Sequence, residues 1–197
     1  MAEPEFHPFT PFLPPNAKLL MCGTFPPKRS RWSMDFYYPN FINDMWRIFG
    51  IIFKRDKEIF VDAENKTFKK NEIIALLVEK GIALSDTGRE VVRTKDNASD
   101  KYLRIDKPID LCSTLSKMPE CMNVATTGEK AAAVIAEITR SSIPAVGEYT
   151  DCVLKFPDGS IRNLRHWRMP SSSRAYPMKI DKKAEYYEKM FLSLGMV

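Results

Sequence analysis

Met169-Pro170-Ser171-Ser172-Ser173-Arg174-Ala175-Tyr176 puts three consecutive hydroxyls on a turn stiffened by Pro170, with a cation and a flat ring directly behind them. A turn of this kind offers a dense set of side-chain and backbone donors for a phosphate oxygen. Arg174 and Tyr176 add the two groups that suit a nucleic-acid backbone with a base beside it. A Ser-rich turn is more often just a polar loop at a sheet edge. Its meaning therefore depends on what lies near it. Lys28, Arg29 and Arg31 with Trp32 form a second cluster of cations around an aromatic, and Arg162, Arg165 and Arg168 crowd the approach to the Ser turn. Binding of a polyanion fits both clusters and the net charge of +5, though many basic proteins bind no nucleic acid.

The elements that would position these residues can be read from apolar periodicity. Ala17 to Cys22 is a short apolar run ended by Gly23 and reads as a buried strand. Asn43 to Lys54 has helical period, with Met45, Ile48, Phe49 and Ile52 on one face and Asn43 as its cap. Thr67 to Lys80 reads as a second helix, stopped by Gly81, and Gly81 to Asp86 as a second strand. Thr87 to Tyr102 is polar and reads as a loop or irregular helix. Cys121 to Thr127 is a third strand and Gly128 to Thr139 a third helix. Two strands, Cys152 to Phe156 and Ile161 to Met169, flank the turn signal Pro157-Asp158-Gly159. Asp181 to Leu194 closes the chain as a helix, and the Lys/Glu mixture from Lys179 to Lys189 reads as a solvated face.

Strand–helix alternation predicts an α/β fold, a three-layer α/β/α sandwich around a central, mainly parallel sheet. Such folds bind ligands in the crevice at the carboxyl ends of the strands. The loops there are Gly23 to Asn43, Ser85 onward, Thr126 to Glu129, and Met169 to Tyr176. Every unusual local sequence falls in one of these four.

The bulk properties exclude other classes. At 197 residues, 44% hydrophobic and 28% charged, the chain suits one domain with a sizeable core. Residues 1–16, with Pro4, Pro8, Pro11, Pro14 and Pro15, read as an extended surface arm before a domain spanning 17–197. No apolar run reaches membrane-spanning length and no signal pattern opens the chain, which gives a cytoplasmic expectation. Cys22, Cys112, Cys121 and Cys152 are scattered without a Cys-x-x-Cys pair, and His7 and His166 are the only histidines. A metal or His-nucleophile site has little to draw on, so no metal and no cofactor are expected. With no Gly-rich phosphate loop, a free-nucleotide enzyme is disfavoured.

Gly23-Thr24-Phe25-Pro26, Tyr37-Tyr38 with Asn43 and Trp46, and Met169-Pro-Ser-Ser-Ser together resemble the uracil-DNA glycosylase superfamily. The first two look like the hypoxanthine-DNA glycosylase branch, and the Ser loop like the thymine/mismatch-specific branch. Gly81 to Asp86 and Thr127-Gly128-Glu129-Lys130-Ala131 fall where the hypoxanthine branch has its second and third strand ends. In order, the motifs cover Ala17 to Phe191.

The resemblance implies a monofunctional DNA glycosylase of base excision repair, hydrolysing the N-glycosidic bond of a flipped, deaminated base such as uracil or hypoxanthine. A flipped base needs a flat partner, contacts to its edge and a filler for the hole in the stack. Its bond to the sugar needs an oriented water and donors for charge arriving on the leaving base. By the resemblance, Tyr38 stacks on the base and Asn43 holds the water, while Gly23, Thr24, Phe25 and Thr127 line the base pocket. A half-buried surface ring is the plain reading of Tyr38, and a helix cap that of Asn43. Asp86 is expected as a turn cap or pocket wall. Ser171, Ser172 and Ser173 grip a phosphate, and Arg174 or Tyr176 enters the duplex as a wedge. The expected partner is DNA with a damaged or mismatched base, bound by a monomer with no membrane involved.

Two positions depart from the pattern. Phe25 stands where most branches carry Asn or Asp, although the hypoxanthine branch is also apolar there, and Thr127 stands where a base-reading Asn is usual. A hydroxyl cannot offer the paired donor and acceptor of an amide. Pro27 replaces a glycine and removes an N–H. These departures favour a second reading, a non-catalytic nucleic-acid-binding relative that keeps the fold. Tyr38, Asn43 and the intact Ser loop favour the enzyme.

Overall fold

A computed structural model describes residues 3–95 and 100–197. Along the chain these form β1 (Pro4–Phe6), β2 (Leu19–Gly23), α1 (Met45–Lys54), β3 (Val61–Asp62), β4 (Thr67–Phe68), α2 (Lys70–Lys80) and β5 (Ile82–Asp86). Then follow β6 (Gly88–Arg93), β7 (Leu103–Pro108), α3 (Leu111–Ser116), β8 (Asn123–Thr127), α4 (Glu129–Thr139), β9 (Tyr149–Lys155), β10 (Ile161–Met169) and α5 (Ile180–Ser193). The central sheet has the order β5-β2-β8-β10-β9. Its first four strands run parallel, and β9 closes one edge antiparallel to β10.

Helices cover both faces, which gives the expected three layers. Successive residues of a strand point to opposite sides. Leu19 and Met21 accordingly pack with α1, α2 and α5, while Leu20 and Cys22 pack with α3 and α4. A strand buried on both faces shows no polar alternation, which is why β2 reads as one apolar run. Phe49 of α1 packs edge-on against both Trp46 of the same helix and Phe191 of α5 in the larger core. Gly81 ends α2 in the left-handed conformation (φ 66°), where a Cβ would lie 2.6 Å from the Asn16 carbonyl oxygen.

Several elements differ from the sequence expectation. Thr67 and Phe68 are not helical; they pair with Val61 and Asp62 as a two-stranded ribbon, so α2 starts at Lys70. Part of the polar stretch from Thr87 is strand rather than loop: β6 pairs with β7 and with β1 from the N-terminal arm. Residues 96–99 of that stretch lie outside the described residues. The arm is further tied to the central sheet by a bridge between Phe12 and Leu84. Local periodicity cannot reveal strands whose partners lie so far away in sequence. Among the described residues no helix is long and apolar enough to cross a membrane.

His166, in the middle of β10, is fully buried. Its Nε2 lies 3.0 Å from the Thr126 hydroxyl, which itself donates to the Trp167 carbonyl, and its Nδ1 has no partner. That leaves room for the neutral ring with the proton on Nε2 and none for a second proton. Burial accordingly lowers its pKa from 6.5 to about 4. The unfolded chain takes up this proton first as pH falls, so the His166 contribution is complete above about pH 6.5 and is lost between there and about pH 4. At pH 5 the loss should be about 2 kcal/mol, from roughly 1.4 kcal/mol per pKa unit. Urea unfolding at pH 7 and pH 5 should show this drop in the native chain and a clearly smaller one in His166→Gln. Equal drops would exclude His166 as the cause.

Candidate active site

The carboxyl ends of β2, β5, β8 and β10 converge on one cavity of about 130 Å³. Gly23 ends β2 and Thr24 to Pro27 follow it, Asp86 ends β5, Thr127 ends β8 and Ser171 to Ser173 follow β10. Tyr38 and Asn43 reach in from the segment before α1, and Asp100 from the segment before β7. All four strand-end loops singled out in the sequence are represented.

Gly23 is required by close approach. A Cβ there would sit 2.5 Å from Asp86 Oδ1 and 3.6 Å from the Tyr38 phenol oxygen. Tyr38 itself has φ 51°, a left-handed backbone that costs a non-glycine residue on the order of 1–3 kcal/mol. The surroundings impose it. Trp46 Nε1 donates to the Tyr37 carbonyl at 3.2 Å, and Ser33 donates to the Pro39 carbonyl through both its N–H (2.8 Å) and its hydroxyl (2.9 Å). The backbone is thus held at Tyr37 before Tyr38 and at Pro39 after it. The Tyr38 ring packs edge-on against Trp46, and its phenol lies 3.3 Å from the Thr127 hydroxyl. Burial, and then the Asp86 charge, push the phenol pKa well up, so Tyr38 stays protonated.

The N-cap position of α1 is Asp44, one residue later than expected; Asn43 still satisfies a helix-start N–H and faces the cavity as well. Its Oδ1 accepts the N–H of Met45, the first residue of α1, at 2.9 Å. Its amide nitrogen has no partner among the described residues. Phe25 lines the same cavity and packs edge-on against His7. Asp86 Oδ2 lies 2.8 Å from His7 Nε2. An ionised carboxylate only accepts, so Nε2 carries the proton. Asp100 Oδ2 accepts from the Thr24 hydroxyl at 2.6 Å. Burial raises the Asp100 pKa, while the Thr24 hydrogen bond and Lys130 oppose that shift.

The Ser turn is held from inside. Ser171 Oγ accepts the Ser173 N–H at 3.2 Å, and Ser173 Oγ accepts the Ala175 N–H at 3.3 Å. The Ser172 carbonyl accepts the Asp44 N–H at 3.0 Å, and the Tyr187 hydroxyl donates to the Pro170 carbonyl at 2.8 Å. Beneath the turn, Lys183 of α5 donates to Asp44 Oδ2 at 2.9 Å and to the Ser173 carbonyl at 2.8 Å. Lys183 is fully buried and is the exception to the solvated face, since Lys182, Glu185 and Lys189 of the same helix are exposed. It lies in one stripe with Ala184, Tyr187, Met190 and Phe191. Its i+4 spacing to Tyr187 was the available signal.

The structure separates the remaining candidates. Arg174 is half-exposed, and its Nε lies 3.0 Å from Asp44 Oδ1, outside the cavity. Tyr176 lines a neighbouring hollow with Arg168 and Lys130. Lys28, Arg29 and Arg31 are exposed beside Pro27 at the rim, with Arg29 over the Trp32 ring at 4.8 Å and 2.9 Å from Asp35. Arg162 and Arg165 do not crowd the Ser turn. Arg162 donates to the Leu115 and Met118 carbonyls, and Arg165 pairs with Asp151 at the far end of the sheet. Nine strand residues carry Ile161 and Met169 to opposite ends of β10, a distance that clustering in sequence conceals. Sequence reasoning missed His7, Asp100 and the Asp44–Lys183 pair, since only tertiary contacts give them a role.

Lys183→Met should cost about 3–5 kcal/mol in urea unfolding, because it removes the buried partner of the Asp44 carboxylate and leaves it only the half-exposed Arg174. Arg174→Ala, on the exposed side of the same carboxylate, should cost no more than about 1 kcal/mol. Adding Asp44→Asn to Lys183→Met should recover part of the loss. Similar costs for the two single variants would remove Lys183 as the main tie.

No family model and no curated protein matches the sequence. In three dimensions the chain is similar to the solution structure of a protein from Methanosarcina acetivorans, provisionally described as a uracil DNA glycosylase. The TM-score is 0.61 at 20% identity, over 95% of this chain and 96% of that one. Mainly parallel sheet, helices on both faces and the full-length match together give this chain a uracil-DNA glycosylase-like fold.

Proposed function

We propose that the chain is a monofunctional DNA glycosylase that hydrolyses the N-glycosidic bond of a deaminated base, uracil or hypoxanthine, flipped out of DNA. The observation that carries this reading is one cavity holding Tyr38, the open amide of Asn43 and the Ser171–Ser173 turn together at the strand ends. In that reading the Tyr38 ring stacks on the extruded base and the Thr127 hydroxyl supplies one contact to its edge. The Asn43 amide, fixed through its Oδ1 at the start of α1, orients the attacking water. The Ser turn grips the phosphate beside the flipped nucleotide, and the Lys28, Arg29 and Arg31 cluster gathers the flanking backbone.

A second reading, a nucleic-acid-binding relative without catalysis, draws on Phe25, whose ring in the cavity cannot orient water. The two readings separate in one assay. Labelled oligonucleotides carrying uracil, hypoxanthine, xanthine or mismatched thymine are incubated with the protein and scored for abasic sites. Release of at least one base supports the enzyme, and tight binding with no release supports the binder.

Asn43→Ala should abolish base release while leaving DNA affinity nearly unchanged, since loss of a water-positioning group costs rate rather than binding. About 1 kcal/mol of stability should go with its hydrogen bond to the start of α1, so folding is checked by thermal melting. Wild-type turnover in a folded variant would reject the role. DNA affinity should also weaken with salt. Neutralising Lys28, Arg29 and Arg31 together should flatten the log–log slope by roughly 0.9 for each DNA phosphate that no longer has a cation against it. An unchanged slope would place the cluster outside the footprint.

A further inference from the structure

Phe25 puts an apolar ring on the cavity wall beside β2, and a hydrocarbon ring can neither hold a water nor take its proton. The cavity nevertheless contains a carboxylate within reach of the same loop, delivered from elsewhere in the chain. Asp100 lies just before β7, and its Oδ2 accepts from the hydroxyl of Thr24, the residue beside Phe25, at 2.6 Å. Its Oδ1 has no partner among the described residues. The backbone at Asp100 is anchored too: Lys130 of α4 donates to its carbonyl at 2.7 Å and to the carbonyl of Leu103.

Resting on the glycosylase reading, we propose that Asp100 is the catalytic carboxylate of this site, taking a proton from the water that Asn43 orients. Asp86, the other acid of the cavity, is less suited. Its Oδ2 is taken up by His7, and its Oδ1 is packed against Gly23. Asp86 forms the wall, and Asp100 presents an oxygen with no partner among the described residues.

The step balances as a hydrolysis. The water oxygen bonds to the anomeric carbon of the sugar while the bond from that carbon to the base nitrogen breaks. The bonding pair leaves with the base, one water proton passes to Asp100, and the proton then returns to the departing base through solvent. The carboxylate is thereby regenerated. Its charge also lies close to the positive character that the sugar develops as the bond breaks.

The charged groups facing Asp100 set its basicity. Burial acts most strongly and raises its pKa. The Thr24 hydroxyl, Lys130 and Arg93 lower it, and Asp86 raises it. A carboxylate held above its ordinary range is a stronger base toward the water proton.

The test uses the protein of 197 residues and whichever oligonucleotide the native chain strips of its base, with single-turnover rates measured from pH 4 to 8 and DNA affinity measured in parallel. Asp100→Asn should lower the rate about 100-fold or more, within the range for loss of a general base, with affinity changed less than about threefold. The acid limb of the profile should vanish with it. Thr24→Val keeps the carboxylate but removes the hydrogen bond that favours its ionised form, so the acid limb should move to higher pH. Melting curves confirm that each variant is folded, and Thr24→Val decides the matter if Asp100→Asn is not. An unmoved acid limb in Thr24→Val, or a rate within about threefold of native in folded Asp100→Asn, overturns the assignment and leaves the glycosylase reading intact. No release of any base by the native chain overturns the glycosylase reading itself, and the role of Asp100 falls with it.

Discussion

The buried pair of Lys183 and Asp44 is the constraint on which the site depends. Taking both charges out of water is expensive, and such a pair persists only when its geometry and additional hydrogen bonds compensate. Both ions here have a second partner: Lys183 also donates to the Ser173 carbonyl, and Asp44 also meets Arg174. Asp44 opens α1, where a negative charge is further favoured by the helix dipole. One ammonium therefore ties together the start of α1, the Ser turn and α5. Asn43, immediately before Asp44, is positioned by the same contact. The cavity wall and the serine rim cannot shift independently of each other.

A second theme is how charge is divided between rim and floor. Lys28, Arg29 and Arg31 are exposed beside the opening, while Asp86 and Asp100 lie at its walls. In the proposed function, such an arrangement draws a polyanion to the rim through the cations and keeps it out of the interior through the acids. Such an interior accepts a neutral base more readily than a phosphate. In the proposed reaction the same walls face a sugar that becomes more positive as its bond breaks, and buried charges act more strongly there than in water. The left-handed Tyr38 belongs to this arrangement, since its fixed backbone directs the ring into the cavity between Trp46 and Thr127.

Periodicity and turn chemistry alone determined much of the architecture: the apolar run of β2, the helical face of α1, the stop at Gly81, the hairpin turn before β10 and the layered order of strands and helices. Each is a local property, set by how a few adjacent residues can bury their apolar atoms or bend the backbone. The strand-end rule then located the cavity, because a parallel sheet brings its carboxyl-end loops to one side whatever they contain. Tertiary structure alone decided which polar residues meet there. His7 reaches Asp86 only because the arm pairs with β6, Asp100 reaches Thr24 only once α4 anchors its backbone, and Lys183 appears solvated until α5 turns it onto Asp44. Arg162 and Arg174 look equivalent in the sequence, yet the length of β10 sends them to opposite ends of the sheet. Ion pairs and hydrogen bonds between distant segments leave no period in a sequence, because they depend on distances that exist only after the apolar core has packed.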